Sequence, residues 1–129
     1  MDIYSENIME HYRDPMNLGK LEDENAYCKD SNPLCGDNIE ISLSIRDYKI
    51  KNIKHISHGC AINIASSSIV SEKIKDMDIK EVLKLNKDFI LNLLGIQLNP
   101  IRLKCAMLSL RAIQKATTKY LGDNKNAGS

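Results

Sequence analysis

The chain has 129 residues, 43% hydrophobic and 27% charged, with 18 basic against 17 acidic side chains and a net charge of +1. That length makes one domain, large enough to bury a core without disulfide staples. The charge balance excludes a general nucleic-acid binder, which carries a strong basic excess, and an acidic disordered protein.

Residues 2–12 read as a short helix, with Ile3, Ile8 and Met9 apolar, Asp2 as N-cap and Pro15 as the stop. Residues 16–34 are polar and broken by Gly19 and Pro33, which predicts a long loop or irregular arm. Ile39 to Ile45 alternates apolar and polar without exception, the signature of a half-buried strand. Asp47-Tyr48 sits where a tight turn belongs. Residues 49–58 then predict an antiparallel partner strand, with Ile53, His55 and Ser57 on one face. Gly59 ends it.

From Ala61 the period becomes helical through Ile62, Ala65 and Ile69, and Ser66-Ser67-Ser68 offers a small, closely packable surface. A second helical pattern uses Ile79, Val82, Leu83, Ile90, Leu93 and Leu94. Asn86 or Asp88 caps a restart within it, and Gly95 is a C-terminal stop. Pro100 breaks the chain again. The last helix is expected from about Leu103 to Tyr120, with Cys105, Ser109, Ala112 and Ala116 as a stripe of small residues. Residues 122–129 predict a disordered tail, leaving a single domain over 1–121. With no Trp and one Phe, Ile, Leu and Met must fill the interior. Strands followed by helices predict an α+β fold, a small antiparallel β-sheet with α-helices packed on one face.

Asp2, Glu6, Glu10, Arg13 and Asp14 leave no apolar stretch for a secretory signal in the first fifteen residues. The densest apolar run, Phe89 to Ile96, is broken by Asn92 and falls far short of the ~20 residues of a membrane span. A cytoplasmic protein with no membrane or nucleic-acid partner is expected. Four cysteines are too sparse for a disulfide scaffold, and in a reducing compartment they point to metal or catalysis.

Cys35, Cys60 and Cys105 each fall at a structural transition, and Asp37 lies two residues after the first. Their spacing is not the short pairing of a zinc ribbon, so a shared site has to be assembled by the tertiary fold. Helix N-termini after Cys60 and around Cys105 would stabilise thiolates and lower their pKa. Three thiolates and one carboxylate around Zn²⁺ or a [2Fe–2S]²⁺ core leave a net negative charge, which Lys104 would partly offset. Asp37 would bring a hard oxygen to a soft sulfur site, which suits release of a cluster more than its retention.

The segments Tyr4-Ser5 to His11-Tyr12, Pro15 with Asn17, Cys35-Gly36-Asp37, Gly59-Cys60 followed by Ala65-Ser66-Ser67-Ser68, and Lys104-Cys105-Ala106 resemble the U-type iron–sulfur cluster assembly scaffolds. These are IscU, SufU and the N-terminal part of NifU, and the resemblance runs from about Tyr4 to Ala116. It implies an IscU/SufE-like fold and a scaffold or sulfur-acceptor role that is not that of an enzyme, with a sulfurtransferase-like role as the alternative. Cys35, Asp37, Cys60 and Cys105 would be ligands of Zn²⁺ in the cluster-free form or of a transient [2Fe–2S] cluster built from iron and sulfur. Sulfur would come as persulfide from a PLP-dependent cysteine desulfurase, with Cys105 as acceptor in an IscU-like scheme and Cys35 in a SufU-like one. Downstream partners would be iron–sulfur acceptor or carrier proteins, and the working form a monomer or weak homodimer.

The chain mixes two branches. IscU-like members usually carry His before the last cysteine, where Lys104 stands here as in SufU-like members. SufU-like members carry an insertion of around twenty residues between the second and third cysteines, for which the Cys60–Cys105 interval has no room. A Leu-Pro-Pro-Val-Lys segment read by a dedicated chaperone in IscU members is Leu98-Asn99-Pro100-Ile101-Arg102 here, and Met16 replaces a common Arg. The remaining residues have plainer readings. Cys28 is an incidental thiol in the arm, or else a spare sulfur acceptor or disulfide partner for Cys35. His55 is a satisfied core or sheet-edge histidine, His58 is near enough in sequence to reach the site, and His11 packs beside Tyr12. The serine run is tight packing.

Overall fold

The computed structural model describes residues 3–127 except Cys35, with side chains described from Glu6 to Asp123. The strict alternation at 39–45 becomes the centre of a three-stranded antiparallel sheet of order β1-β2-β3, where β1 is Ala26–Asn32, β2 is Asp37–Arg46 and β3 is Lys49–His58. Ile39, Ile41, Leu43 and Ile45 of β2 are all buried on the face that meets the helices. Burial of such side chains contributes roughly 1.5–3 kcal/mol each. Leu43 pairs with Ile53, and Ile41 with His55, so β3 continues the same apolar face. Asp47 and Tyr48 both take left-handed φ values, +52° and +61°. This is the twist-matched geometry of a two-residue hairpin.

β1 corrects the expectation of a long irregular arm at 16–34. Its sequence, Ala-Tyr-Cys-Lys-Asp-Ser-Asn, has no clean alternation. It is a strand because β2 supplies a partner ladder, from Ala26 opposite Leu43 to Asn32 opposite Asp37. Asn25 extends the ladder with its side chain, donating Nδ2 to the Ile45 carbonyl and accepting the Ile45 amide at Oδ1. The true arm is residues 16–25. It pairs with β3 at Leu18–His55, then crosses the outer face, where the Leu21 amide donates to Ser42 Oγ. The β3 edge is further covered by residues 76–79, through hydrogen bonds with Tyr48 and Ile50. Such cover removes a template for edge-to-edge pairing.

Among the described residues five helices follow: α1 (Ile3–Arg13), α2 (Ala61–Lys73), α3 (Ile79–Lys84), α4 (Lys87–Leu94) and α5 (Pro100–Ala127). The α+β expectation, antiparallel sheet with packed helices, holds. The Asp2 cap lies outside the described residues. Ser66, Ser67 and Ser68 are buried, and Ser68 Oγ takes the Met16 amide and a His11 Nδ1 contact, both at 2.7 Å. The serine run is therefore packing that holds α1 and the arm on α2. Asn86 caps α4 through the Asp88 amide, and Gly95 closes it with φ +68°.

Pro100 opens α5 where the sequence reading had it break the chain. Proline is favoured at the first helical position, where its missing N–H has no partner to lose. The preceding Asn99 Oδ1 accepts the Arg102 amide at 2.8 Å, an N-cap bond. α5 continues to Ala127, so residues 122–127, expected as tail, are helical, and 128–129 lie outside the described residues. No helix of the described residues is long and apolar enough to cross a membrane.

Candidate metal centre

One end of the sheet collects the chemistry. β2 begins at Asp37, and β3 ends at His58 beside it, where Asn38 pairs with His58. Gly59 then turns the chain into α2 with φ +121°, a conformation side-chain-bearing residues rarely adopt. A Cβ at this position would also collide with the Asp37 carboxylate and come within 2.9 Å of its Cα. Gly59 is thus the residue that lets Cys60 close on Asp37.

Cys60 is the N-cap of α2, with extended backbone. Its amide donates to Asp37 Oδ1 at 2.8 Å, and its thiol donates to Asp37 Oδ2 at 3.2 Å. Asp37 is 1% exposed, and Cys105, on α5, is 3% exposed. The donor atoms of Asp37, Cys60 and Cys105 all lie within 4.8 Å of one another. Cys35, between Leu34 and Gly36, lies outside the described residues.

Two buried asparagines frame this group. Asn63, in the first turn of α2, donates Nδ2 to the carbonyls of Asn38 and His58, bolting the helix to the paired strand ends. Asn32 accepts the Leu34 amide at Oδ1 and directs Nδ2 to Cys105 Sγ at 4.0 Å. Neither asparagine was singled out from the sequence. Asn32 had a signal there, since Asn-Pro favours turn initiation.

The electrostatics correct one expectation. The helix N-terminus was expected to lower the Cys60 pKa, but the thiol is pushed up. Partial burial is the largest cause; the Asn63 amide opposes it, and the Asp37 carboxylate adds to the rise by its hydrogen bond and charge. Cys105 also departs from expectation. With α5 starting at Pro100, it lies in the second turn, beyond the unpaired amides of the helix end.

Lys104 is exposed on the first turns of α5, next to Cys105. Cys28 is not in an irregular arm but on β1, opposite Ile41 on the helix-facing side. Its thiol is pushed up by burial and by Asp30, and lowered by Lys115 and Lys119. Asn32 lies four positions further along β1, about 13 Å of chain. His55 is fully buried, with Nε2 2.9 Å from the Met16 carbonyl and Nδ1 3.2 Å from Ser57 Oγ. His58 is exposed, and its carbonyl, not its ring, serves the site.

The donor set fits an ion. Thiolate and carboxylate ligands at about 2.3 and 2.0 Å around tetrahedral zinc stand about 3.5–3.8 Å apart. Cys60 Sγ stands 3.2 Å from Asp37 Oδ2, near that distance, and all three donor atoms lie within 4.8 Å of one another.

Over residues 3–127 the chain matches the profile of the NifU-like N terminal domain. The chain belongs to that family. As a NifU-like N-terminal domain it is 34% identical over 122 residues to the iron–sulfur cluster assembly scaffold protein IscU 1 of Archaeoglobus fulgidus, covering 95% of this chain and 79% of that protein. It is 32% identical over 139 aligned positions to the zinc-dependent sulfurtransferase SufU of Bacillus subtilis, covering 95% and 94%. A crystal structure from Fervidobacterium islandicum, of a candidate iron–sulfur cluster assembly scaffold for the SUF system, superposes with a TM-score of 0.78 at 26% identity, covering 89% of this chain and 96% of that one.

Proposed function

We propose that this NifU-like domain is an iron–sulfur cluster assembly scaffold. It accepts sulfur from a PLP-dependent cysteine desulfurase, assembles a transient [2Fe–2S] cluster on Cys35, Asp37, Cys60 and Cys105, and passes it to acceptor proteins. The observation that carries this reading is the convergence of Asp37, Cys60 and Cys105 at one end of the sheet, within 4.8 Å of one another. The name of the Archaeoglobus relative, aligned over 95% of this chain, supports the same role.

Each residue has a part. A scaffold thiolate, Cys105 in our scheme, attacks the outer sulfur of the desulfurase persulfide. The scaffold becomes the persulfide, and the desulfurase cysteine leaves as thiolate. A two-electron donor then releases sulfide and regenerates the scaffold thiol, and iron is the second substrate. Asp37 keeps the assembled cluster exchangeable, because a carboxylate is a poorer match than a fourth thiolate for an iron–sulfur core. Zinc, where bound instead, would be held by the same four side chains and would neutralise their thiolates until iron and sulfide arrive. Lys104 would moderate the negative charge of the ligand set.

A second reading, a zinc-dependent sulfur acceptor that stimulates a desulfurase without building a cluster, is favoured by Lys104 before the last cysteine. The alignments weigh against it. The one with SufU extends to 139 positions, longer than this 129-residue chain, so that relative carries residues with no counterpart here. Anaerobic reconstitution with iron, cysteine and a desulfurase separates the two. The scaffold reading expects a visible [2Fe–2S] spectrum with matching iron and acid-labile sulfide. Zinc retention, desulfurase stimulation and no chromophore would replace it with the second reading.

A further inference from the structure

Cys105 is almost entirely removed from water, yet the proposed function requires it to act as a thiolate. A thiolate in such a place needs donors supplied by the protein. Asn32 is 4% exposed and holds Nδ2 4.0 Å from Cys105 Sγ. Asn32 is held through its side chain and its backbone alike. Its Oδ1 accepts the Leu34 amide at 3.2 Å, and the Asn32 backbone carbonyl accepts the Gly36 amide at 3.0 Å. Asn32 is also paired in the sheet with Asp37. Asn32 therefore meets the Leu34 amide and the sulfur of Cys105 with its side chain, and Gly36 and the strand start at Asp37 with its backbone.

We propose that Asn32 is a positioning residue for the metal centre. Its amide N–H orients the Cys105 thiolate and withdraws charge from it, while its side-chain oxygen holds the Leu34 amide. This rests on the reading of Asp37, Cys60 and Cys105 as ligands. The four-ligand set is anionic even after it binds a divalent ion, so a neutral N–H dipole aimed at one sulfur favours the loaded state. Partners of this kind usually account for about 10–100-fold in metal affinity.

Asn32→Asp separates the two halves of the role, because the carboxylate still accepts the Leu34 amide but has no N–H for sulfur. Asn32→Ser does the same with a hydroxyl too short to reach Cys105, and carries the test if the aspartate variant does not fold. Cobalt(II) titration of the full chain reads affinity and the thiolate-to-cobalt charge-transfer band together. The expected result is at least about tenfold weaker binding and a displaced band in both variants, the uncharged serine variant showing that added charge is not the cause. Affinity within about twofold and an unmoved band in folded variants would overturn the role of Asn32 and leave the ligand assignment standing. Absence of any thiolate band in the parent chain would bring down the ligand assignment itself, and this proposal with it.

Discussion

A single carboxylate, that of Asp37, accepts both hydrogen-bond donors of Cys60, the backbone amide at Oδ1 and the thiol at Oδ2. The first bond satisfies a free amide at the N-terminus of α2, so Asp37 caps a helix it is not part of. The second raises the Cys60 thiol, beyond what partial burial does alone. The residue that would make the site labile also holds its protein frame together.

Asp37→Ala therefore has two opposite consequences. The metal-free protein should lose about 1–3 kcal/mol, because the Cys60 amide is left without its partner. Once a cluster is formed, it should survive longer, because the hard oxygen ligand is gone. Thermal denaturation checks the first. Iron and acid-labile sulfide remaining after purification check the second, and unchanged or faster loss would remove the lability argument.

Gly59→Ala should be among the most damaging single substitutions in the chain. It combines a φ of +121° with a collision against Asp37. Backbone strain of this kind costs about 1–3 kcal/mol, and displacement of Asp37 adds to it. The expected outcome is a lowered thermal midpoint together with loss of metal binding. Near-parental values of both would show that the strand-to-helix turn does not need glycine.

Acid should weaken the fold through His55. Burial holds its pKa below the ordinary 6.5, against the Met16 carbonyl, which favours the charged ring. The unfolded chain binds that proton more readily, so this stabilisation is complete above about pH 6.5 and is lost as the pH falls below it. His55→Gln keeps a donor for the Met16 carbonyl and should flatten the dependence between about pH 7 and pH 5. Glu72, lowered chiefly by its hydrogen bond from Asn17, contributes at more acid pH. Thermal midpoints across that range decide; equal slopes for parent and variant would exonerate His55.

The start of α5 offers a local test. Asn99→Ala removes the bond from Asn99 Oδ1 to the Arg102 amide and should cost about 1 kcal/mol. Because α5 carries Cys105, cobalt affinity should fall modestly with it. A stability change near zero would mean that Pro100 alone sets the helix start.

How much of this was legible from the residues follows from which forces act locally. β2 and its hairpin were readable because one buried face writes period two into the sequence and a two-residue turn joins it to β3. β1 was not, since its polar residues are held by the β2 ladder and by α5 above it, neither of which is local. The start of α5 was legible in Asn99-Pro100, a cap followed by a first-turn proline, but proline was read only as a breaker. The order Cys35, Asp37, Cys60, Cys105 pointed to a site through resemblance, whereas the spacings alone did not. The raised Cys60 thiol was out of reach, because the helix end is visible in the sequence and the burial and the carboxylate pressed against it are not.

The central claim is that Cys35, Asp37, Cys60 and Cys105 bind a common ion. X-ray absorption at the zinc edge of the anaerobically loaded full chain addresses it most directly. The account predicts three sulfur neighbours at about 2.3 Å and one oxygen at about 2.0 Å, with one sulfur lost in Cys60→Ser and another in Cys105→Ser. A shell of nitrogen and oxygen alone, or one that both substitutions leave untouched, would contradict it.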